Sequence, residues 1–143
     1  MKNKKLVLDS CVFNKLFLDE PDRHLAVDLI KNSQGIKFLV PSLFVYEVVA
    51  TAITYKLNAE KVYTLLEQQQ LGNLQLIEMS FELLKKAAEI SAEGNAKSGF
   101  PSFYDSTYHA LAIINNCDFI TSDKKHYEKT KKFGHIKLLS QVK

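Results

Sequence analysis

The sequence predicts an α/β domain built on a central, mostly parallel sheet of about five strands. Three observations carry this expectation. First, Lys5-Leu6-Val7-Leu8 is a short, branched apolar run that stops abruptly at Asp9, as a strand buried on both faces does. Second, comparable runs recur along the chain, separated by stretches with helical periodicity. Third, helix-start and helix-stop residues fall between the runs: Asn58, Ser80 and Ser102 at starts, Gly35, Gly72 and Gly94 at ends. Parallel strands need long crossovers, and intervening helices supply them in the right-handed sense.

Taken in order, Lys5–Leu8 is the first strand. Val12 to Leu18 is mixed and apolar, the start of a helix or a lid over the sheet end. Pro21 then opens a helix to about Asn32, with Leu25, Ala26, Leu29 and Ile30 on one face and Gly35 as its C-cap. Lys37–Val40 is the second strand, and Pro41-Ser42 breaks it and caps a helix from Leu43 to Lys56. Asn58 caps a helix over Ala59–Gln70, which Gly72 stops. Asn73–Glu78 alternates weakly and suits a third strand. Ser80 caps a helix over Phe81–Glu93, and after the 95–101 loop Ser102 caps another to about Asn116. Asp118–Thr121, a short helix over Lys124–Lys131 and a last strand over Ile136–Leu139 complete the pattern.

A chain of 143 residues with 46% hydrophobic and 24% charged residues can bury a core as one domain, 1–143, and is not of disordered composition. No apolar run reaches membrane-spanning length, so no membrane partner is expected. The N-terminus, Met1-Lys2-Asn3-Lys4-Lys5, is basic, but the apolar stretch after it is interrupted at Asp9. That is too short for a signal peptide, and a cytoplasmic protein is expected. Cys11 and Cys117 lack metal-type spacing and read as reduced core thiols. His24, His126 and His135 show no zinc spacing, and His109 reads as an ordinary partly buried histidine. Net charge is only +3, yet from Lys124 onward seven lysines face one acid, Glu128. The lysines are either a solvated face or the footprint of an anionic partner, with Lys124 and Lys125 the candidates nearest Asp123.

Four acids stand where an acid is costly unless it is used. Asp9 and Asp123 follow strands, Glu47 is the only charge in the apolar Ser42–Ala50 segment, and Asp105 lies in the first turn of an apolar helix. Strand carboxyl ends and helix amino ends share one edge of a parallel sheet, so the four can converge. Each also has a plainer reading. Asp9 and Asp123 suit turn or helix caps, Ser102-x-x-Asp105 resembles a capping box, and Glu47 can pair with a lysine. Clustered carboxylates repel, and a hard divalent cation, Mg²⁺ or Mn²⁺, removes the conflict. Such a site can orient a water and neutralise charge on a phosphodiester, while nearby lysines hold flanking phosphates.

At these positions the chain resembles the PIN-domain ribonucleases, especially the VapC-type toxins of VapBC toxin–antitoxin pairs. The matching pieces are Leu6-Val7-Leu8-Asp9-Ser10, Pro41-Ser42 with Tyr46-Glu47-Val48, Tyr104-Asp105-Ser106 with His109-Ala110-Leu111-Ala112, and Phe119-Ile120-Thr121-Ser122-Asp123, in the family's order. The resemblance implies a three-layer α/β/α fold and a metal-dependent endoribonuclease cutting single-stranded RNA. It implies that Asp9, Glu47, Asp105 and Asp123 hold Mg²⁺ or Mn²⁺, with Ser10 and Thr121 as supporting hydroxyls. It also implies a homodimer and an antitoxin protein as partners. Cys11 departs from the small polar residue frequent there in the family.

The stretch Phe13–Leu18 and the helix around Tyr55 to Leu66 are candidate dimer or antitoxin surfaces. Tyr46, Phe103, Tyr104 and Tyr108 are candidates for base stacking, with core packing the fate expected for most of them. A non-catalytic RNA-binding or regulatory domain of the same fold stays open. A receiver-like signalling domain fits less well, because it needs adjacent acids after the first strand.

Overall fold

The structure is a computed structural model describing residues 4–142. Met1–Asn3, in the basic N-terminal stretch, and Lys143, the last of the seven lysines, lie outside the described residues. Five strands form one sheet: β1 (Lys4–Leu8), β2 (Ile36–Pro41), β3 (Leu74–Ile77), β4 (Asp118–Thr121) and β5 (Ile136–Leu138). Their order across the sheet is β3-β2-β1-β4-β5, and every neighbouring pair is parallel. The helices are α1 (Ser10–Asn14), α2 (Arg23–Lys31), α3 (Leu43–Thr54), α4 (Ala59–Leu71), α5 (Phe81–Ala92), α6 (Phe103–Ile114) and α7 (Lys124–Thr130). They cover both faces of the sheet in the three-layer α/β/α arrangement. No helix among the described residues is long and apolar enough to cross a membrane.

The central strands explain their sequences. Leu6, Val7 and Leu8 of β1, Phe38, Leu39 and Val40 of β2, and Phe119 and Ile120 of β4 are all buried, so each reads as a continuous apolar run. The edge strands are short and expose Gln75 and Lys137, which blunts them against pairing with another chain. Helix α1 is brief, but its Val12 and Phe13 are buried, and the Phe13 ring meets Phe44 of α3 edge-on at 5.3 Å between centroids. That contact anchors the backbone just beyond Asp9 and Ser10.

The structure corrects several expectations. Within Phe13–Leu18, Phe13, Asn14 and Lys15 are buried and offer no docking surface, with Lys15 held by Glu20 at 3.2 Å and Asp22 at 2.8 Å, while Leu16, Phe17 and Leu18 are partly exposed. Pro21 does not open α2, which starts at Arg23. Gly35 does not cap α2, whose C-cap is Asn32; with φ of +81° it instead turns the chain into β2, a conformation glycine adopts without strain. Pro41 remains in β2, paired with Ile77 at the strand's last position. Ser42 is already helical in its backbone and its side chain makes no capping bond. Asn58, Ser80 and Ser102 do cap α4, α5 and α6 through their side chains. Cys11 and Cys117 are free thiols but only partly buried.

Candidate active site

The sheet order reverses at β1. The chain adds β2 and β3 on one side and then crosses to place β4 on the other. A crevice outside the carboxyl ends of the strands is expected at such a switch point. Asp9 follows β1 there and Asp123 lies just beyond β4. Glu47 is on α3, the helix after β2, and Asp105 is in the first turn of α6.

Asp9 is buried, at 6% exposure. Its backbone N–H donates to Ile120 O at 3.0 Å, extending the β1–β4 ladder by one residue. The register therefore sets Thr121 beside it, and Thr121 Oγ1 donates to Asp9 Oδ2 at 2.7 Å. Thr121 Oγ1 also accepts the Asp123 N–H at 3.0 Å, so one hydroxyl ties the side chain of one acid to the backbone of another. Ser10 Oγ lies 3.3 Å from Glu47 Oε1 and 3.5 Å from Asp9 Oδ1, between the two carboxylates. The Tyr108 hydroxyl donates to the same Glu47 Oε1.

The plainer readings divide. Asp123 does cap α7, its Oδ1 accepting the His126 N–H at 3.1 Å. Ser102 Oγ accepts the Asp105 N–H at 3.0 Å, one half of a capping box. Asp9 stands at the N-cap position of α1 but makes no side-chain capping bond. Glu47 pairs with hydroxyls and not with a lysine. None of the four acids is in an ion pair among the described residues.

Burial dominates the electrostatics. It pushes the Asp9 carboxyl up to about 7; the Thr121 hydrogen bond opposes this, while Asp105 and Glu47 add to it. Glu47 is also raised by burial and by Asp105, against its bonds from Tyr108 and Ser10. Asp105 is raised by burial and by Asp123, against the Ser102 hydroxyl and the Lys129 ammonium. The acids thus share one field: Asp105 raises both Asp9 and Glu47, Glu47 raises Asp9, and Asp123 raises Asp105.

They do not form a closed cage. Among the described residues no three Asp, Glu, His or Cys side chains lie close enough to hold a metal ion between them. The donor chemistry nevertheless fits a hard cation: carboxylate oxygens, partly or fully buried, none of them in an ion pair among the described residues.

Around the acids, Lys124 and Lys125 are exposed at the start of α7. Tyr46, Phe103 and Tyr104 are exposed, contrary to core packing, while Tyr108 is fully buried with its ring stacked on Phe119. His109 is fully buried, with Nε2 2.7 Å from Gly134 O. Sequence reasoning missed three participants. The Tyr108–Glu47 contact spans 61 positions and has no local signal. Lys129 looks like any other lysine of the tail. Cys11 retains the polar role of its position: its Sγ accepts from Ser122 Oγ at 3.2 Å and lies 3.7 Å from Thr121 Oγ1. Burial and Asp9 push that thiol up to about 12, so it stays protonated.

A sequence model of the PIN domain matches residues 6–132. No curated protein matches the sequence. Among solved structures, VapBC2 from Rickettsia felis bound to a DNA fragment from its promoter is similar at TM-score 0.68 and 17% identity, covering 94% of this chain and 96% of that one. VapBC-1 from nontypeable Haemophilus influenzae is similar at TM-score 0.71 and 12% identity, covering 96% and 99%. VapC20 of Mycobacterium tuberculosis, described as a Sarcin-Ricin loop cleaving toxin, is similar at TM-score 0.62 and 13% identity, covering 78% and 83%. At these identities the structural likeness is one of fold.

Proposed function

The chain belongs to the PIN-domain family, and from that premise we propose that it is a metal-dependent endoribonuclease acting in the cytoplasm. The observation that carries the reading is Asp9: a buried carboxylate at the sheet's switch point, fixed by Thr121, coupled to Glu47 and Asp105, and in no ion pair among the described residues. A buried acid with raised proton affinity is stabilised by any cation that replaces the proton.

In this reading Asp9, Glu47, Asp105 and Asp123 hold Mg²⁺ or Mn²⁺. When bound, the ion supplies an ionised water and neutralises charge on the scissile phosphate. Thr121 and Ser10 orient the Asp9 and Glu47 carboxylates. Lys124 and Lys125 bind phosphates flanking the cut. The exposed rings of Tyr46, Phe103 and Tyr104 stack unpaired bases, which favours single-stranded RNA.

We extend to this chain the toxin role of a toxin–antitoxin pair, with an antitoxin protein as inhibitor and a homodimer as the working form. The similarity to VapBC structures supports this extension. The exposed Tyr55 and Tyr63, at and beyond the end of α3, belong to the candidate surface for such a partner.

A non-catalytic RNA-binding domain is the second reading, and the open spacing of the acids favours it. The two part in one experiment: the purified chain is incubated with RNA and Mg²⁺, Mn²⁺ or EDTA, beside Asp105→Asn. Cleavage dependent on the ion and lost in the variant supports the nuclease. RNA binding without cleavage under every condition supports the second reading.

A further inference from the structure

Tyr108 is the largest fully buried side chain in the core, and its hydroxyl is spent on an acid of the site. The ring lies on α6, one turn beyond Asp105 in the sequence, and stacks on Phe119 of β4 at 5.5 Å between centroids with 14° between planes. Phe119 is two residues before Thr121, the donor to Asp9. The phenol is thus clamped by the strand that fixes the first acid, while its hydroxyl reaches Glu47 on α3.

Two donors, Tyr108 and Ser10, meet at one oxygen of Glu47, Oε1. Among the described residues Oε2 takes no protein hydrogen bond, so the carboxylate is oriented with one oxygen committed and one unspent. Glutamate has three side-chain torsions and loses entropy when held. A donor on a rigid, buried ring holds it without adding mobility of its own. A charge-assisted bond of this kind also favours the ionised carboxylate, opposing the burial that favours its proton. The phenol remains protonated and able to donate, because burial and the nearby Asp9 and Glu47 charges push its ionisation far upward.

We infer that Tyr108 is a positioning residue of the metal site, fixing Glu47 through its hydroxyl so that the second carboxylate oxygen is presented to a divalent cation. This rests on the metal-dependent reading above. Partners of this kind, which bind a ligand rather than the metal, typically change metal affinity by about 10- to 100-fold when removed.

The test is direct Mn²⁺ binding, read from the loss of the free-ion paramagnetic signal, in the absence of RNA. Tyr108→Phe keeps the ring, the stack and the volume and deletes only the donor. It is expected to weaken Mn²⁺ binding by about tenfold and to raise the Mg²⁺ concentration needed for half-maximal cleavage by a similar factor. The rate at saturating Mg²⁺ should be largely kept. Glu47→Gln and the double variant are measured alongside. If Tyr108 acts through Glu47, adding Tyr108→Phe to Glu47→Gln changes Mn²⁺ binding no further.

Wild-type-like Mn²⁺ affinity in Tyr108→Phe, with Glu47→Gln impaired, overturns the role of Tyr108 and leaves the metal site standing. Wild-type-like affinity in Glu47→Gln removes Glu47 from the site and the inference with it. An equal further loss in the double variant also overturns the inference, because the hydroxyl would then act elsewhere. Thermal melts of all four proteins separate a weakened site from a weakened fold.

Discussion

Thr121 Oγ1 donates a 2.7 Å hydrogen bond to Asp9 Oδ2 across the boundary between β1 and β4. The same oxygen accepts the Asp123 N–H, so a single hydroxyl serves both strand-end acids. Thr121→Val keeps the shape and removes both bonds. It leaves a backbone N–H without its partner, and a cost of about 1–3 kcal/mol is expected in denaturant unfolding. Mn²⁺ affinity should fall by at least about tenfold. Thr121→Ser restores the hydroxyl and should recover most of both losses. Wild-type-like stability and Mn²⁺ affinity in Thr121→Val, with losses in Thr121→Ser, would show that the methyl packing matters and the hydroxyl does not.

The Asp9 carboxyl gives stability a pH dependence of known sign. Its pKa rises from 3.8 to about 7 on folding, chiefly by burial. The folded protein therefore holds that proton more tightly than the unfolded chain. The resulting stabilisation is complete below the unfolded value and is lost as pH rises through 7. In EDTA, Asp9→Asn should melt above wild type at pH 8, with the gap narrowing toward pH 5. A gap that does not change between these pH values would contradict the assignment.

His109 and His126 act in the opposite direction. Burial lowers both to about 4 from 6.5, and both stay neutral in the fold. Their contribution is complete above 6.5 and is lost as pH falls toward 4. Among the described residues neither ring nitrogen of His126 has a hydrogen-bond partner. His126→Phe removes a buried titrating group and two unsatisfied atoms. Its melting temperature should gain on wild type more at pH 5 than at pH 7.5. No difference between the two pH values would mean that His126 does not titrate in this window.

Asp123 has a structural task and a proposed chemical one, and two substitutions separate them. Asp123→Asn keeps an oxygen for the His126 N–H, so stability should change by under about 0.5 kcal/mol. Asp123→Ala loses the cap and should cost about 1 kcal/mol. Both should lose RNA cleavage, because both lose the charge. Cleavage retained in Asp123→Asn would reduce Asp123 to a helix cap.

The legible parts of this molecule are those set by local chemistry. Leu6-Val7-Leu8 can only be a strand buried on both faces, and its end locates Asp9. Asn58, Ser80 and Ser102 cap helices because their oxygens reach N–H groups two or three residues on. The parts that were not legible depend on contacts between distant segments. Phe13 looks like a free apolar residue until Phe44 covers it. Tyr46 and Tyr108 are the same residue type beside similar apolar neighbours, yet one is 76% exposed and the other fully buried. Only the packing of α6 on the sheet decides between them. Pro41 shows the limit of a local rule: a strand's last residue tolerates a missing N–H, so the expected break falls one residue later.

The most direct test of the central claim is RNA cleavage by the purified chain in Mg²⁺, in Mn²⁺ and in EDTA, with Asp9→Asn in parallel. Cleavage is expected with either ion, none in EDTA, and none by the folded Asp9→Asn protein under any condition. Cleavage that survives EDTA, or that the variant performs at the wild-type rate, would contradict the claim.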